Sequence, residues 1–388
     1  MRISRALTVL VLVAILLLAL ATSAFAIGAP VRKIVVFRSG FLNGQALAAL
    51  TKHGGTLIEP LPLVDGAAVY LPSEASAKAL GLDVSVARVE DDIVLTALAK
   101  PTKPAPSQPA EILPWGINRI GAPLVWPTTT ADPIKVGIVD TGIDYTHPDL
   151  AANVKGGRSF VGYTTSYQDD NGHGTHVAGI VASIDNTIGV VGVAPQADLY
   201  AIKVLDRRGS GYLSDIISGL DWAAANGIKV VNMSLGTNTY SALFDQAVAR
   251  TSAAGVVQVA AAGNDGPGAV DYPGAFPSVI AVGATDSNNV IASWSSRGSQ
   301  VAVAAPGVSV FSTYKGGGYQ TLSGTSMASP HVAGTVALML TQPDPDLNGW
   351  EPAEVKSKLK ATALDLGTAG FDTAYGSGLV RANLAVAP

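Results

Sequence analysis

The chain of 388 residues has no cysteine, so no disulfide can staple it in any compartment. If it is exported, a bound metal ion is the natural alternative clamp. Charge is scarce as well: charged residues make up 14% of the chain and the net charge is −4. Without a dense Lys/Arg cluster there is no surface suited to tracking phosphates, and nucleic acid is not an expected partner. No internal repeat is evident. The length predicts one large domain with a smaller attachment and room for a sizeable core.

A long apolar run occurs only near the start. Met1-Arg2-Ile3-Ser4-Arg5 precedes a run from Ala6 to Ala21 broken by Thr8, and Ala24-Phe25-Ala26 follows. A charged segment, an apolar segment and a small-x-small site together predict a secretory signal peptide over 1–26, cleaved on export. The run is nearly long enough for a membrane anchor, but the cleavage site favours removal. No cysteine follows it for lipid attachment.

Residues 27–98 predict a compact α+β unit, with strands at Lys33–Phe37, Ala67–Leu71 and Val84–Val89 and helices near Asn43–His53 and Ser73–Leu80. Pro101, Pro104, Pro106 and Pro109 rule out a helix or a central strand, so 99–110 reads as an extended linker. From Ile134 onward, short apolar strands alternate with helices: Ile134–Val139, Leu199–Leu205, Ile228–Met233, Val256–Ala262 and Val279–Gly283 against helices near His173–Ile184, Tyr212–Asn226, Ser241–Ala254 and Ser326–Thr341. Nearly continuous apolar strands predict an α/β domain, a mainly parallel sheet covered by helices on both faces. Its functional residues should lie at the carboxyl ends of strands.

Three segments carry chemistry. Val139-Asp140-Thr141-Gly142 puts a carboxylate at the end of the first strand, Asn171-Gly172-His173-Gly174-Thr175-His176 opens a helix with a histidine, and Gly324-Thr325-Ser326-Met327-Ala328-Ser329-Pro330-His331 opens another with a serine. A serine is a poor nucleophile unless a base takes its proton and donors hold the oxyanion that forms. A carboxylate orienting an imidazole that activates a serine supplies the first requirement.

These segments, in the order Asp, His, Ser, resemble the subtilisin-like serine proteases over about Glu111 to Ala387, and 27–98 resembles that family's inhibitory propeptide, a small ferredoxin-like unit. The resemblance implies a secreted endopeptidase, extracellular or periplasmic, made as a self-cleaving precursor and acting on polypeptides. It implies Asp140, His173 and Ser326 as the triad and Asn264 as oxyanion donor beside the Ser326 N–H. A monomer is expected, with its own propeptide as inhibitor and folding aid and no membrane contact once the signal is removed. An inactive family member acting as a binding or inhibitory protein is the alternative, against which the complete triad argues.

Other residues compete for these roles. A single Asp-Thr-Gly cannot make an aspartic protease, which pairs two carboxylates. Asp144 and Asp149 lie beyond the strand end and suit a loop. His173 and His176 share a helix face, yet Gly174 and Thr175 between them lack the glutamate of a zinc-binding H-E-x-x-H, so His176 is expected in the core. His331 lies about 140° around the helix from Ser326 and should be structural.

The family's two substrate-binding edges match Gly209-Ser210-Gly211 and Ser234-Leu235-Gly236, where glycine lets another backbone approach. The resemblance further implies a structural Ca²⁺ held by Asp149, Asn186, the carbonyls of Ile184, Ile188 and Val190, and Glu111, an oxygen-rich set suited to a hard cation. The family's second, weaker cation site is not expected, since Gln300 and Ala302 stand where acidic residues are often found. The propeptide tail implies self-cleavage between Leu98 and Ala99, with Leu95 and Leu98 in apolar pockets. Asp271, near the floor of the main specificity pocket, and Asp265 at its rim point instead to basic side chains. The two clues disagree.

Overall fold

The computed structural model describes residues 29–38, 43–105, 108–344, 346 and 348–387, and the expected signal peptide lies outside them. Two compact units divide at Asp92 and Ile93.

The first unit runs β1 (Val31–Phe37), α1 (Gly44–Lys52), β2 (Thr56–Leu61), β3 (Gly66–Leu71), α2 (Glu74–Leu80) and β4 (Val86–Asp91). Its sheet order β2-β3-β1-β4, antiparallel throughout, is the ferredoxin-like βαββαβ arrangement. Asn43 and Ser73 cap the two helices through side-chain oxygens. Val35, Phe37, Leu50, Val69, Leu71 and Leu80 form its own core.

The second unit begins with β5 (Val94–Ala97) and β6 (Lys100–Ala105), then α3 (Trp115–Arg119). β6 pairs antiparallel with β17 (Gly318–Ser323), which also pairs with β16 (Val310–Tyr314). Within the expected extended linker, Lys100–Ala105 is thus an edge strand paired on one side, and 106–107 lie outside the described residues. Proline is tolerated there because one side of an edge strand needs no donors.

The large sheet is built from β7 (Lys135–Asp140), β8 (Val154–Ser159), β9 (Asp198–Lys203), β11 (Val230–Met233), β13 (Val257–Ala261), β14 (Ile280–Thr285) and β15 (Val301–Pro306). Its order is β15-β14-β13-β11-β7-β9-β8, and every neighbouring pair is parallel. Helices α4 (His173–Ala182) and α7 (Thr325–Met339) pack together against it, as do α5 (Leu213–Ala225) and α6 (Ala242–Ala253), giving the expected three layers. Every residue of α4 and α7 is buried, which explains why neither helix has a polar stripe. The last long helix is α8 (Pro352–Thr362). No helix among the described residues is long and apolar enough to cross a membrane.

Candidate active site

Asp140 ends β7, Ser234 follows β11 and Asn264 follows β13 by three residues. Because β13, β11 and β7 are neighbours, all three residues lie at one carboxyl edge of the sheet, where ligands of such sheets bind. The amino ends of α4 and α7 deliver His173 and Ser326.

His173 Nδ1 lies 2.7 Å from Asp140 Oδ1 and 2.9 Å from Oδ2. Both side chains are buried. Burial opposes the charged imidazole, but the Asp140 carboxylate outweighs it, and His173 titrates above an ordinary histidine. The pair is fixed from below by Asp169, which accepts from Thr141 Oγ1 and from the N–H groups of Asn171, Gly172 and Thr175, each at 2.9 Å. Thr141 Oγ1 in turn accepts from the Gly174 N–H at 2.9 Å. Asp169 thereby ties the loop after β7 to the start of α4, whose own cap, Gly172, has no side chain to do so. A methyl group at Gly172 would meet the Tyr314 ring at 2.2 Å.

Ser326 owes its setting to Pro330. Proline has no N–H for the carbonyl four residues back, so the Ser326 carbonyl oxygen is free to accept from Ser234 Oγ at 2.8 Å. The Ser326 hydroxyl donates to the Ser234 carbonyl at 3.0 Å. His173 Nε2 is buried and has no hydrogen-bond partner. The expected imidazole–serine hydrogen bond is therefore not formed: the hydroxyl is engaged by the carbonyl of Ser234 instead.

The tail after the first unit runs through this edge. β5 is the middle strand of a three-stranded sheet, antiparallel to β10 (Ser210–Tyr212) and β12 (Leu235–Gly236). Ala97 N–H donates to the Gly209 carbonyl at 2.9 Å and Leu98 N–H to that of Ser234 at 3.3 Å. The Leu98 N–H and the Ser326 hydroxyl thus converge on one oxygen. The Leu98 carbonyl accepts from Asn264 Nδ2 at 2.8 Å. Asn264 is aimed by Thr325, whose N–H and Oγ1 both donate to its Oδ1 at 3.0 Å. A side chain at Gly324 would meet the Leu98 oxygen at 2.5 Å, so glycine is required for this approach.

Leu95 is fully buried, and a methyl group at Gly236 would lie 2.8 Å from Leu98 Cδ1 and 3.0 Å from Asp271 Cβ. The Leu98 side chain and Asp271 therefore flank the same glycine. Burial, reinforced by Asp265, pushes the Asp271 carboxyl up to about 6. A cavity of about 290 Å³ lined by Ala97, Ala99, His173, Gly209 and Arg208 opens beside the tail.

Asp149 is fully buried. Its Oδ1 accepts from Asn186 Nδ2 at 2.7 Å and its Oδ2 from the Val190 N–H at 2.9 Å, while Glu111 Oε2 accepts from the Asn186 N–H at 2.6 Å. Burial, with Glu111 nearby, raises the Asp149 carboxyl to about 6. Two carboxylates and an amide meeting at this loop are an oxygen donor set of the kind that suits Ca²⁺. Asn186 Oδ1 accepts from the Ile188 N–H at 2.7 Å, so its use as a ligand requires the amide to turn over.

The competing residues have other partners. Asp144 organises its loop by accepting from Thr146, Gln168 and the N–H groups of Gly316 and Gly317. His176 Nε2 lies between the carbonyls of Val310 and Gln320, and His331 Nδ1 reaches the Met327 carbonyl at 2.8 Å. Burial depresses His176 to about 3 and His331 to about 4, so both are neutral core side chains. Asp169 and Thr325 escaped the sequence reading. Their signals were an Asp two residues before the Asn-Gly-His turn and a hydroxyl just before the serine.

The profile of the Subtilase family matches residues 131–378. The chain is 47% identical over 308 residues to the "Alkaline protease" of Alkalihalobacillus alcalophilus, covering 79% of this chain and 76% of that one. It is 50% identical over 277 residues to "Subtilisin Savinase" of Lederbergia lenta, covering 71% and 99%, and 43% identical over 353 residues to "Subtilisin E" of Bacillus subtilis strain 168, covering 89% and 87%. A carboxylate, an imidazole, a serine and an aimed amide gathered at one sheet edge, together with these matches, establish that the chain belongs to the subtilase family and is a serine endopeptidase.

Proposed function

We propose that the protein is an exported endopeptidase made as a precursor that cuts itself between Leu98 and Ala99. The observation that carries this reading is the course of the tail, with β5 paired on both edges and the Leu98 carbonyl received by Asn264. In this reading Asp140 holds His173 in the tautomer that leaves Nε2 free as a base. A turn of the Ser326 side chain about its Cα–Cβ bond exchanges the Ser234 carbonyl for Nε2. The serine then attacks the Leu98 carbonyl, charge develops on the oxygen that Asn264 already contacts, and His173 passes the proton to the leaving amine of Ala99. Water, activated by the same imidazole, releases the acyl-enzyme.

The same edges, Gly209–Gly211 and Ser234–Gly236, would take other polypeptides as an added strand. Leu98 beside Asp271 supports acceptance of large apolar residues before the scissile bond, because a carboxyl pushed up to about 6 is tolerant of leucine when protonated. Ca²⁺ at Asp149, Glu111 and Asn186 would clamp the loop after α4 in a chain without disulfides. Labelling by a fluorophosphonate that maps to Ser326 tests the nucleophile, and labelling elsewhere overturns it. Cleavage of a peptide library tests the pocket.

A further inference from the structure

Past α7 the chain turns through Asp344, Asp346, Asn348, Gly349 and Trp350 before α8 begins at Pro352. A carboxylate oxygen from each of Asp344, Asp346 and Glu354 lies within 4.8 Å of the other two. Among the described residues no Lys, Arg or His forms an ion pair with any of them. Asp344 is only 7% exposed; its Oδ2 accepts from the Gly349 N–H at 2.9 Å, while its buried Oδ1 meets no N–H donor and has the Asp346 carboxyl group as its polar neighbour. A buried carboxylate oxygen with no N–H donor is costly, and two further carboxylates beside it raise the cost.

We propose that Asp344, Asp346 and Glu354 form a Ca²⁺ site that joins the end of α7 to the start of α8, separate from the loop around Asp149. Oxygens bound to one calcium at about 2.4 Å lie no more than about 4.8 Å apart, and the three carboxylates meet that limit as they stand. The donor set is oxygen only, which excludes softer metals. Three carboxylates on a loop suit calcium better than magnesium, which demands a stricter octahedron and keeps its waters. The chain pattern agrees: Asp344-x-Asp346-x-Asn348-Gly349 is the opening half of an oxygen-donor calcium loop, and Gly349 takes the positive φ of 100° that its sharp turn needs. Glu354 stands at the eleventh place of that loop rather than the twelfth. It also accepts from the Glu351 N–H at 3.0 Å, so the same carboxylate caps α8.

Bound there, the ion would neutralise Asp344 and fasten the far end of the helix that carries Ser326. The test uses the full chain with Ser326→Ala, which prevents self-digestion, stripped of metal and titrated calorimetrically with Ca²⁺. Asp346 is exposed, so Asp346→Asn should fold normally and lose one calcium per chain. Asp149→Asn should lose a different one, and the double variant both. An unchanged count in Asp346→Asn overturns the proposal, whatever Asp149→Asn does. A loss confined to Asp346→Asn supports it and removes the calcium reading at Asp149. Independently of that variant's folding, Tb³⁺ added to the Ser326→Ala protein should give luminescence sensitised by the indole of Trp350. Trp350→Phe should abolish most of that signal, and an equal signal without this indole argues against the site.

Discussion

The amide of Asn264 donates to the carbonyl oxygen of Leu98 at 2.8 Å, and its own oxygen is held by two donors of Thr325. The donor is therefore aimed before any charge appears on the oxygen it meets. Asn264→Ala should lower kcat by about 10²–10³-fold with little change in KM, the size such a donor has in subtilisin. Thr325→Val, which removes one of the two holding bonds, should cost less, about tenfold. Steady-state kinetics on a peptide substrate checks both, and a loss confined to KM would count against the role.

Ser326→Ala should leave the precursor whole, with Leu98 and Ala99 still joined, as followed by mass spectrometry. Active enzyme added in trace amount should then cut it at that bond. A variant that processes itself without added protease would show that another nucleophile cuts the tail.

Most of this site was legible in the sequence because each piece is a local pattern: Asp140 at the end of an apolar strand, His173 and Ser326 each at a glycine-marked helix start. The main strands and helices of the parallel sheet were legible for the same reason. Less visible were elements whose stability is tertiary. β8, with Gly156 and Gly157 and two cations in six residues, has no apolar pattern and exists through its pairing with β9. β6 contains prolines that argue against a strand until β17 provides the partner. The Ser326–Ser234 contact could not be foreseen either, since it depends on Pro330 releasing a carbonyl toward a residue 92 positions away.

Calcium removal should lower stability without changing the chemistry. A ligand bound only to the folded state adds about 2.7 kcal/mol at a concentration of 100 Kd, so chelation of the Ser326→Ala protein should lower Tm by several degrees. Asp149→Asn should have a lower Tm in calcium and a smaller response to chelator. If chelation leaves Tm unchanged in the parent protein, the loop around Asp149 is held by its hydrogen bonds alone.

Asp271 makes both stability and side-chain preference depend on pH. Its carboxyl is held at about 6 by burial and by Asp265, against an ordinary value of 3.8 in the unfolded chain. Between those two values the folded protein holds a proton that the unfolded chain has lost, so this group's contribution to stability is full below 3.8 and is lost as pH rises through about 6. Asn at this position stays neutral throughout. In the Ser326→Ala background, Asp271→Asn should therefore be more stable by roughly 1–3 kcal/mol above pH 7, with the difference closing as pH falls. The same proton governs the pocket: cleavage after Lys or Arg relative to Leu should rise with pH through about 6 and become flat in Asp271→Asn. A ratio that rises identically in both proteins would place the pH response elsewhere, and a leucine preference unaffected by pH in the parent would mean that the carboxylate does not face the substrate side chain.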